Sequence, residues 1–280
     1  MGPVSTAMQD ITVAGVNFQT TFGRVDRNLD RIADWAMRLA QQGVNLACFP
    51  ELCVCGYSHT PAIRGLAQPV PGPATERLVE IAAQAGIILS VGLAELDPHG
   101  QRFITQLVVT PDGIAGHYRK THLGPLEQGV YVPGHAIDVS ELGHCTVGMQ
   151  LCYDSHFPEI STLQALAGAE LLLVSFATPR DAPVSLKARL LRYLTARAYD
   201  NGCYVVSCNL AGDDGAGQAF PGVALVIGPK GELLAESVGW QEGAVIATLD
   251  GCAIERIRQT KMGHFLGHRR PDLYGALADA

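Results

Sequence analysis

Short apolar runs of strand length alternate with helix-length segments along most of the chain. This alternation is typical of layered α/β folds, in which helices cover the faces of a sheet. The runs predict strands at residues 11–18, 46–49, 87–96, 103–110, 114–118, 145–151, 171–176, 203–210, 223–227, 232–236 and 244–249. Because so many strands exceed what one open sheet usually holds, we predict two packed mixed sheets covered by helices.

Helical spacing of apolar residues predicts helices in four segments, and glycines follow two of them as natural stops. The segments are residues 25–41, 74–85, 157–167 and 186–199. We predict one domain over residues 1–250 and a C-terminal tail over residues 251–280. Aromatic side chains in that tail favour burial against a partner subunit over a solvated extension.

Composition excludes several classes of function. The 280 residues are 48% hydrophobic, which is enough for one large core. A net charge of −7 without a basic cluster argues against nucleic-acid and membrane partners. The chain lacks a long uncharged apolar run and a secretory leader pattern, and its eight cysteines lie mostly in apolar runs. We therefore expect reduced thiols, a cytoplasmic location and no metal.

Cys152 ends the predicted strand 145–151, and a polar turn and the helix 157–167 follow it. This order places the side chain at the carboxyl edge of a sheet, beside a helix N-terminus. Unpaired N–H groups and the helix dipole favour an anion there, so we expect a lowered thiol pKa and a nucleophilic role. The alternative is that Cys152 is a small buried hydrophobic residue.

Two charged residues end other strands. Glu51 follows the strand 46–49 and a proline, and Lys120 follows the strand 114–118. Each alone is equally compatible with a surface group, but α/β sheets place their sites at the carboxyl ends of strands. Together with Cys152 they provide a base for the thiol proton and an ammonium for an oxyanion, with the Tyr153 N–H as a second donor.

The motifs around these residues resemble those of the nitrilase, or carbon–nitrogen hydrolase, superfamily. They are Phe-Pro-Glu at 49–51, Tyr-Arg-Lys-Thr-His-Leu at 118–123 and Cys-Tyr-Asp-Ser-His-Phe-Pro-Glu at 152–159. The resemblance covers about residues 11–249 and implies a four-layer αββα sandwich, a Glu51–Lys120–Cys152 triad, no cofactor, and self-association into dimers or larger assemblies. It also implies a second glutamate, which Glu127 matches. His156 stands where many members have arginine.

The resemblance admits amidases, carbamoylases and nitrilases. Nitrilases tend to carry Trp-Glu after the cysteine, whereas this chain has Tyr153-Asp154. This difference favours a small amide or N-carbamoyl substrate, cleaved through a thioester. Alternatives are a nitrilase, the glutaminase subunit of a synthetase and a non-catalytic metabolite-binding subunit. The predicted pocket wall contains Tyr57, His156, Phe176, Ala177, Thr178 and Arg180, of which Tyr57 and Phe176 are equally compatible with the core.

Overall fold

Two six-stranded mixed sheets pack face to face in the computed structural model, which describes residues 8–277. The first sheet contains β1 (Ile11–Asn17), β2 (Leu46–Cys48), β3 (Ile88–Leu96), β4 (Arg102–Thr110), β5 (Gly113–Arg119) and β14 (Gly243–Leu249). The second contains β6 (Val139–Glu141), β7 (Thr146–Leu151), β8 (Leu171–Phe176), β9 (Tyr204–Asn209), β12 (Gly222–Ile227) and β13 (Leu233–Gly239). A separate small ribbon pairs β10 (Gly212–Asp213) with β11 (Ala219–Phe220).

Helices cover the outer face of each sheet. The first sheet packs against α1 (Val25–Ala40) and α2 (Pro73–Ala85), and the second packs against α3 (Pro158–Leu166) and α4 (Pro183–Asn201). The layers therefore run helix, sheet, sheet, helix, which confirms the predicted αββα sandwich. In the described part of the chain, no helix is both long and apolar enough to cross a bilayer.

The alternation of side chains along β8 shows how one strand serves two layers. Leu171 and Leu173 point into the core between the sheets, whereas Leu172, Val174 and Phe176 pack under α4. Burial of each such side chain stabilises the fold by about 1.5–3 kcal/mol. Strands that are apolar on both faces can therefore lie only inside the sandwich.

Strand direction brings the ends of several strands to one edge. In the first sheet, β1, β2 and β3 are parallel. Strand β4 is antiparallel to both β3 and β5, so β5 runs in the same direction as β2. In the second sheet β7, β8 and β9 are parallel. A parallel bridge between Phe18 and Leu210 aligns the ends of β1 and β9 across the sandwich. The carboxyl ends of β2, β5, β7 and β8 consequently face the same edge.

The C-terminal segment differs in part from the simple tail that the sequence suggests. A fifth helix, α5 (Gly251–Gln259), begins at the cap residue Asp250 and buries Ile254 in the core of the same chain. Beyond α5, the Phe265 ring packs on Tyr199 of α4. Contact of this segment with a partner subunit stays a prediction.

Candidate active site

Glu51 lies in a tight turn that crosses the end of the first sheet. The turn fits because β3 has glycine at position 92, where a Cβ atom would lie 2.5 Å from the Leu52 nitrogen and 2.7 Å from the Pro50 oxygen. The Phe49 carbonyl accepts hydrogen bonds from Gln106 Nε2 at 3.1 Å and Ser175 Oγ at 2.8 Å. These contacts hold the Glu51 carboxylate, which is fully buried, at the edge where the strand ends meet.

Lys120 follows β5 and is also buried. Its Nζ atom donates to Glu51 Oε1 at 2.7 Å and to Glu127 Oε1 at 2.8 Å. A buried ammonium is costly unless it is paired and hydrogen-bonded, and here two carboxylates satisfy it. Glu127 is itself held by the Gly124 N–H at 2.7 Å and by the Tyr57 hydroxyl at 3.2 Å.

Cys152 follows β7 and starts a five-residue 3₁₀ turn, Cys152–His156. Its φ of +42° is in the left-handed region, which costs a non-glycine residue about 1–3 kcal/mol. The half-buried residue has its Sγ atom 3.8 Å from Thr178 Oγ1 at the end of the adjacent strand β8. Asn209 fixes that strand end because its Oδ1 accepts from the Thr178 N–H at 2.8 Å.

The protonation of the cluster follows from burial and from its uneven charges. Burial raises the pKa of Glu51 to about 7; the Lys120 charge opposes this shift, and Glu127 adds to it. Burial alone would lower the pKa of Lys120, but the Glu51, Cys152 and Glu127 charges raise it above its ordinary value. The ammonium is therefore charged at neutral pH, while Glu51 exchanges its proton near neutrality.

The expectation of a lowered thiol pKa is wrong for this arrangement. Burial, together with the Glu51 charge, raises the pKa of Cys152 to about 12, and Lys120 offsets only part of that shift. The physical reason is that the sulfur is buried beside a carboxylate, and α3, which begins only at Pro158, does not place its N-terminus directly after Cys152. The thiol keeps its proton until a base accepts it.

Two groups of the cluster are free to interact with a ligand. Glu51 Oε2 is buried and has no hydrogen-bond partner in the structure. The Tyr153 N–H lies in the first positions of the 3₁₀ turn, where backbone donors have no partner within the helix. The cluster thus offers an acceptor beside the thiol and a donor on the turn that bears it.

The predicted wall residues are only partly brought together. Tyr57 contacts Glu127, Thr178 contacts the thiol, and Tyr153 lines a cavity of about 510 Å³ beside the Lys120 segment. His156 is exposed and packs on the Tyr153 and Tyr193 rings. Partial desolvation of the ring, together with the Arg189 and Arg197 charges, lowers the pKa of His156.

Two of the predicted wall residues are buried at the end of β8. Phe176 points to the helix side of β8 and packs under α4, and Ala177 is buried in the core beneath α1 and α2. Cys152 packs against the same apolar cluster as Phe176, since Leu151 before it pairs with Ser175 in β8, and contact of Phe176 or Ala177 with a substrate stays a prediction. Arg180 is exposed on the following loop with a φ of +62°, and its contact with a substrate stays a prediction.

Tyr193, Asn209 and Asp154 complete the surroundings and were not found from the sequence. Tyr193 lies in α4, far along the chain from the three motifs, and Asn209 ends β9 without a pattern of its own. Asp154 stood within a motif, but nothing in the sequence indicated how many donors it accepts. Among residues 8–277, no three His, Cys, Asp or Glu side chains are grouped to hold a metal ion.

Comparison with known proteins places this site in a family. The model of the carbon–nitrogen hydrolase family matches residues 12–259. The chain belongs to this family, and it is a hydrolase of carbon–nitrogen bonds within the nitrilase superfamily.

Curated relatives and solved structures agree with this assignment. A hydrolase encoded in the pqqF 5′ region of Pseudomonas protegens is 33% identical, over 90% of this chain and 86% of that protein. The human omega-amidase NIT2 is 30% identical over 88% of this chain and 91% of its own length. The crystal structure of an amidase from a Nesterenkonia species superposes with a TM-score of 0.82 at 29% identity, covering 99% of each chain.

Proposed function

We propose that the protein hydrolyses a small linear amide or N-carbamoyl compound through a thioester on Cys152. The observation that carries this proposal is the Lys120 ammonium, hydrogen-bonded to two buried carboxylates beside a thiol, with one oxygen of Glu51 left unpaired. The unpaired oxygen suits a proton acceptor, and the ammonium suits a charge that develops on a carbonyl oxygen.

In the acylation step, the Glu51 carboxylate accepts the Cys152 proton as sulfur attacks the carbonyl carbon. Lys120 Nζ and the Tyr153 N–H stabilise the negative oxygen of the tetrahedral intermediate. Glu51 then gives its proton to the departing nitrogen, the C–N bond breaks, and ammonia or an amine leaves. A thioester remains on the sulfur.

In the deacylation step, Glu51 takes a proton from water as the water oxygen attacks the thioester carbon. The C–S bond breaks, the sulfur regains the proton from Glu51, and the acid is released. The raised pKa of Glu51, about 7, suits a group that must accept and return a proton in each half of the cycle.

Glu127 orients the ammonium in this scheme and does not exchange a proton. Its Oε1 accepts from both Lys120 and Tyr57, and its Oε2 accepts from the Gly124 N–H. These contacts leave Lys120 with one direction for its third N–H donor. We infer that this direction is toward the substrate oxygen.

The relatives support amides as the substrate class. They include an (R)-stereoselective amidase from a Pseudomonas species, 30% identical over 86% of this chain. One solved variant of the Nesterenkonia amidase shows the acetamide moiety of fluoroacetamide added covalently at its active-site cysteine. A protein named nitrilase from Pyrococcus abyssi, 29% identical over 94% of this chain, keeps nitriles as the second candidate class.

The test is ammonia or amine release from matched amides, N-carbamoyl compounds, ω-amides and nitriles. We expect amides or carbamoyl compounds to be cleaved, and Cys152→Ala to lower kcat by more than about 10³-fold. Cys252→Ala is the matched control because that cysteine is exposed and remote from the cluster. A Cys152→Ala enzyme that retains most of its activity would overturn the scheme, and turnover of nitriles alone would select the nitrilase alternative.

A thioester has a direct signature. When the wild-type enzyme is mixed with a slowly hydrolysed amide and rapidly quenched, the peptide that contains Cys152 should carry the added mass of the acyl group.

The Arg180→Ala variant tests the substrate contact of Arg180. If Arg180 binds a carboxylate, this variant should have a higher KM for acidic amides but not for neutral ones. An equal change for neutral amides would reject this role for Arg180.

A further inference from the structure

We propose that Asp154 is a positioning residue, which fixes the strained Cys152 turn against the strand end that carries Lys120. The proposal extends the function proposed above and rests on it for the kinetic measurements only. Asp154 lies two positions beyond the thiol in the chain and is fully buried.

The Asp154 carboxylate joins two segments that are distant in sequence. Its Oδ2 atom accepts from the Leu151 N–H at 3.0 Å and from the Tyr118 hydroxyl at 2.9 Å. Its Oδ1 atom accepts from the His122 N–H at 2.8 Å and from Thr121 Oγ1 at 3.0 Å. The Leu151 contact holds the residue before the thiol, and the other three hold both sides of Lys120.

This network explains how Cys152 keeps a left-handed backbone. A strained conformation persists only where the surrounding contacts determine it, and here the carboxylate binds the N–H immediately before the strained residue. On the far side of the turn, Ser155 Oγ donates to the Cys152 carbonyl at 2.6 Å. The turn is thus held from two sides, and Asp154 provides the hydrogen bonds that link it to the Lys120 segment.

The charge of Asp154 has a second consequence, which separates positioning from mere stability. The pKa of Glu51 is raised chiefly by burial, and the Glu127 and Asp154 charges add to the shift against Lys120. Removal of the Asp154 charge should therefore lower the pKa of Glu51. The other titratable groups near Glu51 are Cys152, Tyr57 and Tyr131, and His122 faces Asp154 itself.

The principal variant is Asp154→Asn, which has nearly the same shape but no charge. It presents one acceptor oxygen and an NH₂ group in place of Oδ1 and Oδ2, so either the Leu151 N–H or the His122 N–H loses its acceptor. We expect kcat to fall by about 10²-fold, as for a small misplacement of reacting groups, with KM changed by less than about threefold. The acid limb of the kcat profile should move to lower pH.

Tyr118→Phe is the matched control because it removes one donor and leaves the charge. Its kcat should fall by less than about tenfold, and its acid limb should stay at the wild-type pH. His122→Phe tests the neighbouring imidazole, since the ring can still stack on Phe157, 3.9 Å away between centroids. The acid limb of the kcat profile should remain in His122→Phe. If it disappeared, His122 would be the group that causes it, and the electrostatic part of the proposal would be overturned.

A substrate-free measurement separates this proposal from the proposed function. Iodoacetamide alkylates the thiolate with loss of iodide, and peptide mass analysis distinguishes Cys152 from the exposed Cys252. The alkylation rate of Cys152 should rise with the ionisation of Glu51, at lower pH in Asp154→Asn than in the wild type. If no amide is cleaved but this displacement is seen, the proposed function fails and the role of Asp154 stands.

Two results would overturn the role of Asp154. One is an Asp154→Asn enzyme with a wild-type circular dichroism spectrum, kcat and acid limb. The other is an unchanged kcat in the double variant Tyr118→Phe/Thr121→Val, which removes two donors and keeps the carboxylate. This variant serves as the test if Asp154→Asn does not fold. We expect its kcat to fall by about tenfold, and an unchanged kcat would reject positioning through this network.

Discussion

Two buried glutamates, Glu51 and Glu95, have opposite properties although each is paired with a cation near the end of β5. Glu95 accepts hydrogen bonds from Thr105, His117 and Arg119, so both of its oxygens are occupied. Despite its burial, these donors lower the pKa of Glu95 to about 2. Glu51 has one cationic partner and one unpaired oxygen, and its pKa is raised to about 7. Burial raises the pKa of a carboxyl group only where its hydrogen-bond donors are too few to offset the loss of solvent.

The largest difference should appear when each glutamate is made neutral. We expect Glu51→Gln to lower kcat by about 10³-fold because it removes the proton acceptor, whereas Glu95→Gln keeps kcat within about threefold. Glu95→Gln should instead lose about 2 kcal/mol of unfolding free energy. Steady-state kinetics and urea unfolding of both variants measure the contrast. A Glu95→Gln protein that is inactive but as stable as the wild type would contradict a purely structural role for Glu95.

The two adjacent cations sharpen the comparison. Lys120→Met leaves Glu51 and Glu127 buried without their ammonium, and we expect a loss of about 3 kcal/mol or more in unfolding free energy. Arg119 is about one-third exposed, and its charge is screened, so Arg119→Met should cost about 1 kcal/mol. Thermal unfolding of Lys120→Met and Arg119→Met at one pH measures both losses of unfolding free energy. Equal losses would show that the two cations contribute equally to stability.

Stability should depend on pH in opposite directions at the two sites. Because the folded pKa of Glu95 is lowered, its contribution is complete above about pH 4.5 and is lost as the pH falls toward 2. The folded pKa of Glu51 is raised, so its contribution is present below about pH 4.5 and is lost as the pH rises through 7.

Urea unfolding of the wild type and the two glutamine variants over this range checks both signs. Relative to the wild type, Glu51→Gln should gain stability above about pH 7, and Glu95→Gln should lose it above about pH 4.5. Parallel curves for all three proteins would contradict the opposite titrations.

The smallest predicted effect concerns the outermost contact of the cluster. Tyr57→Phe removes the hydroxyl that donates to Glu127 and keeps the ring, which packs edge-to-face on Phe220. We expect a three- to tenfold lower kcat, corresponding to about 1 kcal/mol. Kinetics with the best amide of the panel measure it, and a loss as large as that of Glu51→Gln would give Tyr57 a direct chemical role.

The fold could be predicted to a large extent because its strands are apolar and its helices are amphipathic. Leu171–Phe176 was predicted with the same bounds that the structure shows. The strand Val139–Glu141 was missed because three residues carry no periodic pattern, and α4 begins at Pro183 rather than at residue 186. The predicted tail gave no sign of α5, whose buried positions lie among charged residues.

The grouping of Glu51, Lys120 and Cys152 was also predictable, since each residue follows a strand that ends at one edge, whereas Glu127 was indicated only by the family resemblance. Their protonation was not predictable. Sequence spacing does not show that the turn after Cys152 separates the thiol from α3, nor that Glu51 keeps an oxygen without a donor. It likewise does not show the network around Asp154, because Tyr118 and Thr121 reach it only after the two sheets have packed.

The division of the cluster between the two sheets has a consequence for biosynthesis. Glu51 and Lys120 follow strands of the sheet that contains β1 to β5, whereas Cys152 follows β7 of the other. A nascent chain that ends just after Lys120 therefore contains Glu51 and Lys120, but not yet Cys152. Long-range contacts form late because closing a long loop costs entropy. The chemistry that we propose therefore requires the association of both sheets.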